Sequence, residues 1–429
     1  MRLLCAIILS PLFANADEFF RHAPINYYDT PPNTPLTQLF ARAQKDPSLL
    51  DAETNRDLLA QLLTHLHISP SSQVLVYSKT SAQNSRISPH TPRAIYFNQN
   101  TYLAYVQGGD LETITFDPQL GAVFHRIQHH NRSPQKNLPT LTHDHSCLSC
   151  HTDAAAGGSP TPSLLVRSVY PKANGLPELS WGSFRTDHRS PLAERWGGWY
   201  VTGSTGGQPH LGNRILKTKP KPHFTLLHQA PLQDLSPLFR TEPYLGGPRS
   251  DILALMILEH QLLVHNTLIS AHLNARYLLH QNAIMRTNLA EPTEQLGEVY
   301  KRALSSYADH ILDALLFKNE FLIPDDGPEG HPDYQKAFLS RAKRASNHRS
   351  LRDLQLYERL FKHRCSYLIH SDPFTHLPPL LKNLTLTKLH SILTHPGQHP
   401  DHPHLSQSER KKILTILTDT LPNFPPHER

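Results

Sequence analysis

The sequence predicts an α+β fold: an antiparallel β-meander, then an irregular segment, then a mostly helical C-terminal region. Between about residues 73 and 127, short apolar runs alternate with period two and are separated by turn clusters such as Gly108-Gly109-Asp110. From Asp251 to about Leu289 a proline-free run has helical spacing instead, and further helical runs follow it. The stretch between these regions keeps neither period, so we expect it to be irregular.

Two amphipathic helices are predicted before the meander. Thr34 and Pro35 form a typical N-cap and first turn, and leucines from Leu58 to Leu66 recur at helical spacing. Strands that follow each other as closely as those of the meander pair as antiparallel hairpins. The predicted strands are Val74–Tyr77, Ala94–Phe97, Thr101–Val106, Leu111–Phe116 and Ala122–Ile127, with Leu164–Tyr170 as a later candidate.

The long C-terminal helix is predicted to begin after Ser250 as its N-cap. Its expected buried stripe contains Ile252, Leu255, Met256, Leu263 and Leu273. His265 and His272 fall on the opposite, more polar face. Further helices are predicted at about residues 292–318, 333–345, 349–364, 373–393 and 406–420, the last with a capping box at Ser406 and Glu409.

Length and composition place few limits on function. A chain of 429 residues is long enough for two or three domains. The net charge of +6 is mild for this size, and the basic residues are scattered rather than clustered. This pattern favours solubility, or an acidic partner, over nucleic-acid binding.

The first residues have the pattern of a secretory signal peptide. Arg2 precedes a short apolar core, and Ala14-Asn15-Ala16 is a small-x-small cleavage site, which makes Asp17 the first mature residue. No later run has the roughly 18 or more apolar residues that a membrane span needs. We therefore expect a soluble, exported protein without a transmembrane segment, located in the periplasm.

The run Cys147-Leu148-Ser149-Cys150-His151 carries the C-x-x-C-H pattern of c-type haem attachment. In this pattern two thiols form thioethers with one haem, and the adjacent imidazole becomes an axial ligand of the iron. A redox dithiol, a structural zinc site and a plain disulfide are the alternatives. The export signal favours haem, so we predict one haem c, bound covalently through Cys147 and Cys150 and ligated by His151.

Candidate haem-pocket residues follow the motif in a stretch that contains all three tryptophans. Large aromatic rings beside arginines suit a haem pocket, where guanidinium groups pair with the propionates. The candidates are Arg185, Arg195 and Trp196. The alternative is that Arg185 and Arg195 form ion pairs, with Asp187 and Glu194, that pin an irregular loop to the sheet; the two roles are compatible.

A six-coordinate iron needs a second axial ligand, normally Met or His. Met256 and His260 lie one turn apart on the inward side of the long helix, so either is a candidate metal ligand; ordinary core positions are the alternative. His129, His130, His143 and His145, just before the motif, are interpreted as a solvated loop; a distal haem ligand supplied from this loop is the alternative. The same interpretation applies to the His- and Pro-rich loop 394–404, whereas Cys365 is expected to be buried and inert.

The motif and its flanking runs resemble a group of exported single-haem cytochrome c domain proteins from Gram-negative bacteria. The resemblance covers about residues 70–215 and rests on the haem motif together with Pro92–Asn98, Leu165–Val169, Gly182–His188 and Glu194–Gly203. It implies haem and electron transfer but no substrate. The chain differs from small soluble cytochromes c, because a meander and about 130 mature residues precede the motif.

Two function classes follow. The first is a periplasmic electron-transfer cytochrome with an unidentified redox partner protein. The second is a haem enzyme with an open distal site that reduces peroxide or a nitrogen oxide, with Arg185 and His188 as polar distal groups; a haem-based sensor or scaffold is a third. The expected segments are a signal peptide (1–16), N-terminal helices and meander (17–130), a haem-binding segment (131–248) and a helical region (249–429).

Overall fold

The computed structural model describes residues 19–129, 138–155, 158–217, 223–226, 232–324 and 326–425. The predicted signal peptide and His130 lie outside the described residues. Of the polar lead-in to the motif, 129 and 138–146 are described, and the ring of His129 is hydrogen-bonded through Nε2 to the carbonyl of Ala52 at 2.9 Å.

A six-stranded antiparallel sheet forms the N-terminal half, with its strands in sequence order. This confirms the predicted meander and the α+β class. The sheet also contains one strand that the sequence did not predict, at Thr140–His143. It was missed because it lacks apolar alternation, and none of its side chains is fully buried. The strands are β1 Val74–Val76, β2 Arg93–Phe97, β3 Thr101–Tyr105, β4 Leu111–Asp117, β5 Gly121–Gln128 and β6 Thr140–His143.

The sheet is covered on both faces. On one face, Leu103, Leu111 and Ile127 pack with the leucines of two helices, α1 (Pro35–Ala43) and α2 (Asn55–His65). The predicted cap at Thr34 forms a capping box, and Thr54 forms a second one at the start of α2 that was not predicted. On the other face, Tyr102 and Phe124 belong to a larger core that continues into the C-terminal helices.

The segment after the sheet is irregular, as predicted, with short two-stranded ladders. Of the predicted strand Leu164–Tyr170, only Arg167–Val169 forms, paired with Ser183–Arg185. The ladders comprise β7 Thr152–Asp153 with β8 Thr161–Pro162, β9 Arg167–Val169 with β10 Ser183–Arg185, and β11 Arg214–Lys217 with β12 His223–Leu226.

The long helix α3 (Ile252–Asn288) lies at the centre of the larger core. Its N-cap is Asp251, not Ser250 as predicted: the Asp251 carboxylate accepts from the amide of Ala254 at 3.0 Å. The Ser250 hydroxyl instead donates to the carbonyl of Tyr200 at 2.6 Å.

The predicted polar face of α3 is also wrong. His265 and His272 are both buried, because the first turns of α3 are surrounded by protein on all sides. The ring of His265 is hydrogen-bonded through Nδ1 to the Tyr102 hydroxyl on β3 at 2.7 Å. Leu263, expected in the buried stripe, is only half-buried.

Among the described residues, α3 is the one helix with the length and composition to cross a membrane. In its most apolar window, 89% of the residues are buried inside the protein. Such burial is also the property of a core helix.

The C-terminal region is helical except for one hairpin. A helix was predicted over 349–364, but Leu354–Tyr357 and Arg359–Phe361 form the antiparallel strands β13 and β14. Leu356 and Glu358 have φ values of 67° and 57°, which a right-handed helix cannot contain. The helices are α4 Glu298–Leu315, α5 Pro332–Leu339, α6 Asp372–Thr375, α7 Pro379–Thr394 and α8 Gln407–Thr420.

The loop 394–404 was expected to be solvated throughout, and in part it is not. His402 is buried, and the ring of His404 is hydrogen-bonded through Nε2 to the carbonyl of Leu316 at 2.8 Å. The α8 helix begins as predicted, with the Ser406 hydroxyl accepting from the amide of Glu409.

Candidate functional site

The C-x-x-C-H motif forms a single tight turn beside the sheet. Cys147 lies in the 3₁₀ helix His145–Ser149, which Asp144 caps. The amides of Cys150 and His151 both donate to the carbonyl of Cys147, at 3.2 and 2.9 Å. Both thiols are free; Cys147 is half-buried against the larger core and Cys150 is exposed. The turn therefore presents two thiols and one imidazole within five residues.

The imidazole of His151 is held by the segment that follows the motif. Its Nδ1 lies 3.0 Å from the carbonyl of Ser163, and the amide of Ser163 donates to the carbonyl of His151 at 2.9 Å. A carbonyl only accepts, so we assign the ring proton to Nδ1, which leaves the lone pair on Nε2. Within the described part of the chain, Nε2 makes no hydrogen bond.

The environment of His151 keeps this ring neutral. Burial lowers the pKa of His151, and the positive charges of Arg93 and Arg185 lower it further, while the Ser163 contact and Glu112 act in the opposite direction. The ring also packs against Phe124 of β5, with centroids 5.1 Å apart. A neutral imidazole that donates from one nitrogen and keeps the other open is the form that ligates a metal.

Three arginine–carboxylate pairs lie around the motif. Arg93 pairs with Glu112 at 2.7 Å and Arg126 with Asp144 at 2.6 Å, and Arg185 forms an ion pair with Asp153. The charges of Arg93, Glu112 and Arg126 also act on the pKa of Cys147, although its rise to about 11 is caused mainly by burial.

Of the predicted pocket residues, Arg185 is therefore brought to the motif. Its side chain is 53% exposed, so it is accessible to an anionic group of a ligand. Arg93 and Arg126 were missed by sequence reasoning, since they lie on strands that the fold, and not the local sequence, places beside the motif.

A cluster of three histidines lies next to Cys147. His125 and His143 are opposite each other on β5 and β6, and the ring of His145 lies 4.1 Å from that of His143. His125 Nδ1, His143 Nε2 and His145 Nδ1 are buried without a hydrogen-bond partner. Burial lowers the pKa of both His125 and His143 to about 4, so these rings are neutral. Within the described part of the predicted solvated loop, Thr140–His143 thus belongs to the sheet and the ring of His145 packs against it.

No set of three or more His, Cys, Asp or Glu residues in the described ranges has the geometry to hold a metal ion by itself. The histidine cluster therefore does not form a separate metal centre. A metal at the motif would depend on His151 together with ligands that the cofactor itself supplies.

Arg195 and Trp196, the other predicted pocket residues, lie elsewhere. Arg195 is buried and forms an ion pair with Glu259 of α3 at 3.1 Å; Glu259 also accepts from the Thr186 hydroxyl at 2.7 Å. The remaining guanidinium hydrogen bonds go to the carbonyl of Ser190. Among the described residues, the side chains of Arg195 and Trp196 make no hydrogen bond or ring contact with the C-x-x-C-H motif.

The two candidate second axial ligands are part of the core. His260 has both ring nitrogens engaged: Nδ1 lies 2.9 Å from Nδ1 of His188, and Nε2 lies 2.7 Å from the Ser366 hydroxyl. Met256 is buried in the larger core. His188 is also buried, against Phe317, rather than in a distal pocket. The identity of the second ligand stays a prediction.

Cys365 has the environment of an inert thiol. It is fully buried, and burial raises its pKa to about 12, so it is protonated at neutral pH. It therefore provides a natural control for experiments on the two motif cysteines.

Comparisons of this chain with protein-family models, with curated proteins and with solved structures found no match.

Proposed function

We propose that this protein is an exported c-type cytochrome that carries one haem and transfers electrons in the periplasm. The observation that supports this most directly is the hydrogen bond between Nδ1 of His151 and the carbonyl of Ser163. It orients the imidazole directly after two free thiols and leaves Nε2 available.

The residues around the motif fit a haem in their chemistry. Cys147 and Cys150 supply the two thiols for thioether bonds, and neither is consumed by a disulfide. Ser163 fixes the tautomer and orientation of His151, an outer contact that increases the basicity of a metal-ligating imidazole. Arg185 places an accessible positive charge beside the motif, where a propionate would find a partner.

When bound, haem supplies an iron that gains and loses one electron. The protein acts on that equilibrium through charge and burial. The positive charges of the arginines near His151 favour the reduced, less positive iron, whereas the negative charges of Glu112, Asp144 and Asp153 favour the oxidised iron. Because each arginine is paired with a carboxylate, the local charge is nearly balanced.

The alternative, a haem enzyme with an open distal site, has less support. It requires polar distal groups, and His188 is buried in a network with His260 and Phe317. Arg185 is the one predicted distal group that lies near the motif among the residues described. We therefore favour electron transfer.

The optical spectrum of the protein, matured in the periplasm with its own N-terminus, tests this function. We expect a low-spin spectrum that carbon monoxide and cyanide do not change; a high-spin, ligand-binding spectrum would instead indicate the enzyme.

The variant His151→Ala should lose the low-spin spectrum. His310→Ala is the matched control, because His310 also has its Nδ1 hydrogen-bonded to a carbonyl, that of Ser306 at 2.7 Å, but lies on the exposed side of α4. An unchanged spectrum in His151→Ala would contradict its role as axial ligand.

A further inference from the structure

A half-open cavity of about 320 Å³ lies where the C-terminal region meets the sheet. It is bordered by the β2–β3 turn, the segment after α5, the approach to β13 and the 3₁₀ helix Tyr367–His370. We call it the Arg352 pocket. Its lining residues are Gln99, Arg341, Lys343, Ser350, Leu351, Arg352, Tyr367 and His370.

The lining of the Arg352 pocket is cationic. It contains Arg341, Lys343 and Arg352, and none of its lining residues is acidic. Elsewhere in the protein arginines are commonly paired, as in Arg195 with Glu259 and Arg93 with Glu112. In the described ranges, no carboxylate lies within ion-pair distance of the three cations of this pocket.

Arg352 is the most unusual member of this group. Its side chain is 5% exposed, and its guanidinium contacts two aromatic rings that pack edge to face, 4.2 Å from the Tyr367 centroid and 4.5 Å from that of Phe338. Its guanidinium donates to the Gln99 amide oxygen at 2.6 Å and to the carbonyl of Phe338 at 3.3 Å. Both acceptors are neutral, so a buried positive charge lacks an anionic partner, which is an expensive arrangement for a protein.

The uncharged groups of the lining add hydrogen-bonding capacity. His370 has a buried Nδ1 without a partner, and its other nitrogen lies 3.4 Å from the Thr420 hydroxyl. Arg341 and Lys343 are exposed at the rim. The pocket therefore combines a buried, planar cation inside with two exposed cations at the entrance, of which Arg341 also donates to the carbonyl of His67.

We propose that the Arg352 pocket binds a small oxyanion, of the size of inorganic phosphate or a dicarboxylate. A planar guanidinium held in place by aromatic contacts and hydrogen bonds is well suited to two parallel hydrogen bonds with carboxylate or phosphate oxygens. The anion supplies the negative charge that Arg352 lacks, and Arg341 and Lys343 attract it from solvent. This inference is independent of the haem proposal, since no residue of the pocket belongs to the motif.

Calorimetric titration of the full, haem-loaded chain with inorganic phosphate, and separately with succinate, tests the proposal at constant ionic strength set with chloride. We expect saturable binding of at least one of the two, and the arm that binds more tightly identifies the source of the oxyanion. The variants Lys343→Gln and Arg341→Gln should each weaken that binding by about tenfold, the effect of losing one charge-assisted hydrogen bond.

Lys45→Gln is the matched control, because it removes one positive charge from an exposed position after α1 and should change the affinity less than about twofold. Arg352→Lys keeps the charge but loses the planar fork, and it should abolish tight binding while circular dichroism shows a folded protein. If Arg352→Lys fails to fold, the rim variants Lys343→Gln and Arg341→Gln still test whether the pocket binds the anion. Absence of saturable binding by both anions, or affinity that the rim variants do not change, would overturn the proposal.

Discussion

The buried Arg195–Glu259 pair leads to a prediction that separates a structural role for Arg195 from the haem contact that the sequence indicated. The change is Arg195→Met, which keeps an unbranched apolar stem and removes the charge. Arg195 and Glu259 are 2% and 0% exposed, so the variant leaves a carboxylate inside the protein without its cation. Removing one partner of a buried pair typically costs about 3–5 kcal/mol, a large part of an ordinary folding free energy.

The cost should depend on pH in a defined direction. Burial raises the pKa of Glu259 to about 7 from its ordinary 4.5, while Arg195 and Thr186 act to lower it. Without Arg195 this pKa rises further. A raised carboxyl pKa means that the folded protein binds more protons than the unfolded chain, so stability falls as the pH rises through this range. The loss in Arg195→Met should therefore be largest at pH 8 and smaller at pH 5, where Glu259 is protonated.

Urea denaturation followed by circular dichroism at both pH values measures this loss. Arg189→Met is the matched control, since Arg189 pairs with Asp187 at 2.6 Å near the surface and should cost less than about 1 kcal/mol. The double variant Arg195→Met/Glu259→Leu removes both charges and should regain most of the stability. The haem content of each folded molecule should stay unchanged in all three.

Two outcomes would refute this reasoning. If Arg195→Met were as stable as Arg189→Met, the Arg195–Glu259 ion pair would not stabilise the folded protein. If Arg195→Met kept its stability but lost haem or shifted its optical spectrum, Arg195 would contact the cofactor as the sequence first indicated.

Two further predictions concern stability. The stabilising contribution of a neutral, buried His125 should be lost as the pH falls from 6.5 to 4, because burial lowers the pKa of His125 to about 4 and the unfolded chain therefore binds more protons in this range. For this ring, which is 3% exposed, the loss reaches about 3 kcal/mol. The variant His125→Phe should therefore reduce the pH dependence of the urea midpoint, and an unchanged pH profile would contradict the assignment. Gly203→Ala should lower the thermal midpoint, because Gly203 has φ of 105° and an added Cβ would lie 2.4 Å from the carbonyl oxygen of Glu329. Gly207 has φ of 78° and open space around it, so Gly207→Ala measures the backbone cost without the steric clash. Equal losses of thermal midpoint in the two variants would show that the clash is unimportant.

The features that sequence predicted well are those with local periodicity or local caps. The alternation of the meander correctly predicted five strands, and Thr34 and Ser406 correctly predicted the starts of two helices. The motif itself is local, and its five residues form one turn. The hairpin β13–β14 was misread because Leu354, Tyr357 and Phe361 imitate helical spacing, and the positive φ values that prevent a helix have no signal in residues such as Leu356.

The features that sequence could not predict depend on contacts between distant segments. Arg195 and Glu259 are far apart in the chain, so neither the ion pair nor its burial can be recognised locally. His265 was placed on a polar face because an amphipathic pattern assumes one solvent side, whereas the first turns of α3 have none. Ser163, which orients His151, acts through its backbone carbonyl, and such a contact leaves no trace in residue type.

The central claim is that Cys147 and Cys150 bond one haem, and the intact mass of the exported protein tests it most directly. After denaturation and acid-acetone extraction, we expect the mature chain to be heavier by one haem, and Cys147→Ala/Cys150→Ala to lack that mass while Cys365→Ala keeps it. A mature chain with no added haem mass would contradict the account.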